Sequence, residues 1–294
     1  MKKIAIVVGG WHYPYHFYNK VSKLKLPDGW KADKFVIGHR DPDLEIVSQE
    51  KKDVLDGLGS AHESDNELSP LESLDYVLYN KIVSKTEIKE LGFDFSVEPN
   101  KIGDFYFFNQ WAEKNDWSSY DLFLFMHDDT LMLDESMIVD VIGKKCNLYY
   151  YQDEVEKNRD WLFLTACGDH LLCPRASFAF FDKKLIKELN GTFPMENVTL
   201  NREGLVETPG TELGGTANWN VVSRNFTTFM QEKGWQEKML RMSPHYRISK
   251  YCLEGERGFC HIVKVAVSSF INGCREYEKY LSKEIYEYNK IQHK

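Results

Sequence analysis

Three short apolar runs, each broken off by a polar loop, limit what this chain can fold into. Ile4-Ala5-Ile6-Val7-Val8 stops at Gly9-Gly10, Phe35-Val36-Ile37 stops at Gly38-His39-Arg40-Asp41, and Leu122-Phe123-Leu124-Phe125-Met126 stops at His127-Asp128-Asp129. Runs of this length without alternation belong to strands buried on both faces, as in a parallel sheet covered by helices on each side. Helical patterns at 44–58, 70–92, 104–115, 183–189 and 219–233 supply the covering layers. The last two are stopped by Asn190-Gly191 and Gly234, residues that favour helix ends. Further strands are expected at 93–97, 161–166 and 176–180. The polar stretches 59–66 and 201–217 read as loops, and a polar helix closes the chain with Tyr277, Leu281, Ile285 and Tyr288 on one side. The expected fold class is α/β, a Rossmann-like, mixed but mostly parallel sheet flanked by helices, with a helical C-terminal tail.

With 294 residues, 43% of them hydrophobic, the chain has material for one large domain with a modest C-terminal addition. Its formal net charge is -8, and it lacks a Lys/Arg block, which argues against general nucleic-acid binding. An acidic protein still binds a nucleoside diphosphate when a metal ion supplies positive charge. None of the six cysteines, Cys146, Cys167, Cys173, Cys252, Cys260 and Cys274, forms a CxxC pair, so reduced thiols in a cytoplasmic protein are expected. Ile4–Val8 is too short for a leader, and no run approaches the roughly 18 apolar residues of a membrane span.

The strand ending in His127-Asp128-Asp129 carries the strongest chemical signal. Adjacent carboxylates at the end of a buried strand repel each other and lose hydration, at a cost that a cation would offset. Oxygen ligands suit Mg²⁺ or Mn²⁺, which would also hold the phosphates of a nucleoside diphosphate. A solvated loop with capping aspartates is the competing arrangement.

A strand followed by two acids resembles the DxD region of GT-A glycosyltransferases, particularly the family 2 type, with His127 in place of the usual first acid. Pro99-Asn100-Lys101-Ile102-Gly103, followed by a helix carrying Asn109, adds to the likeness. In those enzymes an Asn, a nearby Gly and a later Asn precede the DxD strand and approach the donor nucleotide. The resemblance implies that Gly9, Gly10, Trp11 and Tyr13 form the base-binding loop, and that Arg40 and Asp41, or Asp43, contact phosphate, uracil or ribose. Asn100, Gly103, Asn109, His127 and Asp128 would complete the donor site. Asp129, His127 and a late His245, with His261 as the alternative, would hold the metal. The usual acid pair of the catalytic helix aligns with Ala217 and Asn218, so Glu212 becomes the candidate base and Asp169 its rival.

The likeness spans residues 1–250, with 1–130 as the nucleotide-sugar half and 131–250 as the acceptor half. It leaves 251–294 as an extension packing on the domain. The expected activity is metal-dependent transfer of a hexosyl or deoxyhexosyl group from a nucleoside-diphosphate sugar to a glycan or lipid-linked acceptor. Peripheral contact with a membrane and the oligomeric state stay open. A nucleotidyltransferase with a similar sheet is the second reading, set lower because no basic cluster follows Gly10. A non-catalytic carbohydrate-binding scaffold on a decayed GT-A fold is the third.

Overall fold

The computed structural model describes residues 1–10, 13, 15–39, 41–43, 83–99, 105–128, 130–132, 139, 141–142, 160–165, 178–195, 216–241 and 262–264. Its main sheet has seven strands: β1 (Lys2–Gly10), β2 (Trp30–Gly38), β3 (Asp94–Val97), β4 (Leu122–His127), β6 (Phe163–Thr165), β7 (Phe178–Asp182) and β8 (Met239–Arg241). They lie in the order β3-β2-β1-β4-β7-β6-β8. β1 runs parallel to both β2 and β4, and β2 parallel to β3. β7 is antiparallel to its neighbours β4 and β6, while β6 and β8 are again parallel. The sheet is therefore mixed and mostly parallel, as the uninterrupted apolar runs required.

Two apolar layers cover it, and the period-two geometry of a strand decides which residue enters which layer. Ile4, Ile6 and Val8 of β1 and Leu122, Leu124 and Met126 of β4 face one layer. Phe17, Tyr18 and Val21 of helix α1 (Tyr15–Ser22) and Ile88 of helix α2 (Lys85–Glu90) pack there. Ala5, Val7, Phe123 and Phe125 face the other layer. There they meet α3 (Tyr106–Lys114), α4 (Lys183–Glu188) and α5 (Thr216–Glu232) through Phe108 and Trp111, Leu185 and Ile186, and Phe226 and Met230. This second layer is an aromatic cluster: the Phe193 ring lies 4.6 Å from Phe105, 5.0 Å from Phe181 and 5.2 Å from Phe226. Burial of each such ring contributes on the order of 1.5–3 kcal/mol.

Helix ends follow the local sequence. After α4 the chain turns through Asn190 and Gly191 at φ 51° and 76°, and after α5 through Gly234 at φ 66°. These are left-handed conformations that glycine adopts without steric cost. The expected helix over 70–92 is corrected at its C-terminal part. Val83 and Ser84 are not helical, and α2 starts at Lys85 behind a capping box in which Ser84 and Glu87 satisfy each other's backbone N–H groups. A helix running through Ser84 would forfeit that reciprocal pair.

The sequence reading missed α1, β8 and a small antiparallel pairing of β5 (Thr130–Met132) with β9 (Ile262–Lys264). That pairing brings part of the C-terminal region beside the segment that follows β4. The expected helices at 44–58 and 277–292, the loop at 59–66 and all six cysteines lie outside the described residues, as does the loop expected at 201–217 except for Thr216 and Ala217, which instead open α5. Among the described residues no helix is long and apolar enough to cross a membrane.

Replacing Ser84 by Ala is expected to lower stability by about 1 kcal/mol, read as a shifted urea midpoint. A variant as stable as the parent would place the start of α2 elsewhere.

Candidate functional site

Parallel pairing brings the carboxyl ends of β2, β1 and β4 to one level, because Gly10 lies opposite Gly38 and Gly9 opposite His127. The chain runs outward from β1 through β2 to β3 on one side and then crosses to β4 on the other side of β1, which makes the ends of β1 and β4 the topological switch point of the sheet. Open α/β sheets take their ligands in the crevice at such a point.

Asp128 sits there with only 1% of its surface exposed. Its backbone N–H donates to the carbonyl of Gly9 at 3.2 Å. Its Oδ2 accepts from the Tyr13 N–H at 2.7 Å and from the Tyr18 hydroxyl at 3.1 Å. Charge-assisted bonds of this kind are among the strong ones, and they offset the desolvation of a buried carboxylate. Burial first, and the neighbouring Asp128 charge second, push the Tyr18 phenol well above its ordinary range. It therefore stays protonated and donates.

Tyr13 adopts φ 54°, a left-handed conformation that a bulky residue holds only when its surroundings impose it. Besides Asp128, its carbonyl accepts from the Val83 N–H at 2.9 Å, and its hydroxyl donates to the Gly10 carbonyl at 3.3 Å. The ring stacks on Tyr18 at 6.3 Å and meets Phe95 edge-on at 6.1 Å. Fully enclosed, it offers no open face to a nucleobase.

Gly9 and Gly10 were expected to open the backbone to a ligand. On the side where a Cβ would lie, that space belongs to protein rings. A Cβ on Gly9 would come within 3.0 Å of Phe107, and one on Gly10 within 2.8 Å of Tyr13.

Two imidazoles flank Phe107. The His39 ring lies 3.9 Å from it, and that of the half-buried His127 5.4 Å. His39 Nδ1 is 3.0 Å from the Glu98 carbonyl, which fixes its ring beside β3. Phe107 and Tyr18 were not singled out in the sequence. Tyr18 carried a legible signal, since it falls with Tyr15 and Ser22 at helical spacing, but the partner of its hydroxyl did not.

The acids after β2 serve the fold. Asp41 pairs with Lys85 and accepts from the Asp43 N–H at 3.0 Å, while Asp43 caps the Lys85 N–H at 3.1 Å. The bond from the Lys85 ammonium is the main reason the Asp41 carboxyl lies below its usual range. Asn109, expected beside the nucleotide, is buried in a reciprocal pair with the backbone of Phe193, donating to its carbonyl at 3.2 Å and accepting from its N–H at 2.8 Å. It ties α3 to the aromatic layer.

Trp11, Arg40, Asn100, Gly103, Asp129, Asp169, Glu212, His245 and His261 lie outside the described residues. Among the described residues no cluster of three or more His, Cys, Asp or Glu is assembled for a metal. Of the metal candidates, His127 is described, at the carboxyl end of β4, and imidazole beside carboxylate oxygen is a donor chemistry that Mn²⁺ accepts.

No family model and no curated protein matches the chain. Among solved structures, residues 1–349 of S. aureus TarS in complex with UDP-GlcNAc align at 12% identity and a TM-score of 0.34, over 66% of this chain and 49% of that one. A cytidylyltransferase from Leptospira borgpetersenii serovar Hardjo-bovis aligns at 10% identity and 0.38, over 96% and 98%. The apo-form glycosyltransferase GlyE of Streptococcus pneumoniae TIGR4 aligns at 10% and 0.31, over 84% and 46%. This chain thus spans about half the length of the TarS and GlyE chains. The overlaps are coarse, and the strand order above carries the fold assignment.

The folded protein holds the Tyr18 phenol above its ordinary value of 10.0. That stabilisation is complete below the ordinary value and is lost as pH rises beyond it, when the unfolded chain ionises first. Urea midpoints on the alkaline side are expected to fall more steeply for the parent than for Tyr18→Phe. Equal slopes would contradict a buried, neutral phenol.

Proposed function

We propose that the chain is a glycosyltransferase that takes a sugar from a nucleoside-diphosphate donor with the help of a divalent cation. One observation carries the reading: the topological switch point of the sheet, where the ends of β1, β2 and β4 gather Gly9, Gly10, His39, His127 and Asp128. The resemblance of the His127-Asp128-Asp129 segment to a DxD region supplies the choice among ligands that such a crevice could take.

In this reading the donor lies along the crevice. Trp11 and Arg40 are assigned to the base and phosphate, and Asn100 and Gly103 to the same donor. His127, Asp129 and His245 would hold Mn²⁺ or Mg²⁺. When bound, the cation neutralises charge on the departing diphosphate as a Lewis acid. His127 stands at the strand end, with its ring braced by Phe107 and Phe125 at 5.4 and 5.5 Å. That bracing limits the orientations of the imidazole and favours a fixed donor geometry. Glu212, or Asp169 in its place, would take the proton of the acceptor hydroxyl if the reaction inverts configuration. The aromatic layer on one face of the sheet, with Phe105, Phe108 and Trp111 fully or almost fully buried, backs the strands that carry these ends.

Release of free nucleoside diphosphate from a panel of nucleotide sugars, with Mn²⁺ or with a chelator, tests the proposal. One donor is expected to be turned over with metal present, and Asp129→Ala to slow that release by more than about tenfold. Pyrophosphate release from a nucleoside triphosphate and a sugar phosphate would instead make the chain a nucleotidyltransferase. No release from any donor by the folded protein would contradict both readings.

A further inference from the structure

We infer that Asp128 is a positioning residue working as a pair with Tyr18: it fixes the backbone of Tyr13 after β1 and is not itself a ligand for nucleotide or cation. Three observations converge on this assignment. The carboxylate is 1% exposed, at the end of a strand whose next residues lead into the candidate metal segment. Two donors from the β1 side, the Tyr13 N–H at 2.7 Å and the Tyr18 hydroxyl at 3.1 Å, meet on the same oxygen. Oδ2 already accepts two such bonds, whose donors occupy the directions of its lone pairs, and a residue only 1% exposed presents little of its other oxygen to a cation or nucleotide. The third observation is the backbone of Tyr13, held at φ 54°, a conformation that needs outside support.

The support has a mechanical consequence. Tyr13 receives Asp128 at its N–H and Val83 at its carbonyl, while the Asp128 N–H reaches back to Gly9. Asp128 thus joins the exit of β4 to the exit of β1 twice, through its carboxylate to Tyr13 and its backbone N–H to Gly9, and Tyr13 in turn holds Val83 ahead of α2. Tyr13, two positions after the Trp11 to which base binding is assigned above, is held by this carboxylate. The geometry asks for an oxygen that accepts two hydrogen bonds, and a neutral amide oxygen has that capacity too. The functional role thus resides in shape and acceptor capacity, while the charge sets the strength of the hold. The consequence for donor binding rests on the glycosyltransferase reading; the consequence for the loop does not.

Two measurements on the full chain test the pair: hydrogen exchange at the Tyr13 amide, and the affinity for a nucleoside diphosphate with Mn²⁺, for Asp128→Ala, Asp128→Asn and Tyr18→Phe. Asp128→Ala is expected to speed exchange at Tyr13 by at least about tenfold and to weaken the nucleotide. Asp128→Asn should bring both back to within about threefold of the parent, since the acceptor is restored. Tyr18→Phe should fall between, and it carries the test together with Asp128→Asn if the alanine variant does not fold. Unchanged Tyr13 exchange in Asp128→Ala or Tyr18→Phe would overturn the positioning role. So would an Asp128→Asn variant that keeps its Tyr13 protection yet loses the nucleotide as fully as Asp129→Ala, because the carboxylate would then be a ligand. If the parent binds no nucleoside diphosphate, the donor reading falls, and the exchange rates alone decide the positioning role.

Discussion

A carboxylate almost completely removed from water has to find donors, and Asp128 finds them in the Tyr13 backbone and the Tyr18 phenol. Leaving such a group unpaired would cost several kcal/mol, more than most single contacts in a fold return. The chain around it is arranged accordingly. Tyr13 accepts an unusual backbone conformation, Gly10 and Gly38 leave room for its ring, and α1 presents Tyr18 to the same oxygen. The edge of the sheet where a ligand would enter is thus shaped from beneath by a buried ionic anchor.

That anchor divides the labour within the His127-Asp128-Asp129 segment. Asp128 turns inward and organises protein. His127, at the end of β4, stays half-buried beside Phe107. A DxD-like segment in which the middle residue is structural leaves its flanking positions for ligand chemistry.

Much of the sheet was legible because burial on both faces leaves a one-dimensional trace. The runs at Ile4–Val8 and Leu122–Met126 admit few alternatives to central strands, and Asn190-Gly191 and Gly234 mark helix ends through backbone geometry that is local in sequence. The site was less legible for a physical reason. The role of a Tyr, Asn or Gly at a strand end depends on what the fold brings against it, over separations of 115 residues for Tyr13 with Asp128 and 84 for Asn109 with Phe193. Glycines that invite a ligand and glycines that admit a neighbouring ring look alike in a sequence. Gly10 and Gly38 are of the second kind on their Cβ side. The helix expected through Ser84 failed because a capping box outweighs weak periodic signal.

The central claim is that the switch-point crevice receives a nucleoside diphosphate together with a cation. The most direct measurement is the melting temperature of the protein across nucleoside diphosphates and nucleotide sugars, with and without Mn²⁺, since a ligand of the native state raises it by mass action. The account predicts a rise for one nucleotide that requires the metal and disappears in Asp129→Ala. A melting temperature unmoved by every nucleotide, with or without metal, would contradict it and favour a carbohydrate-binding scaffold that has lost its donor site.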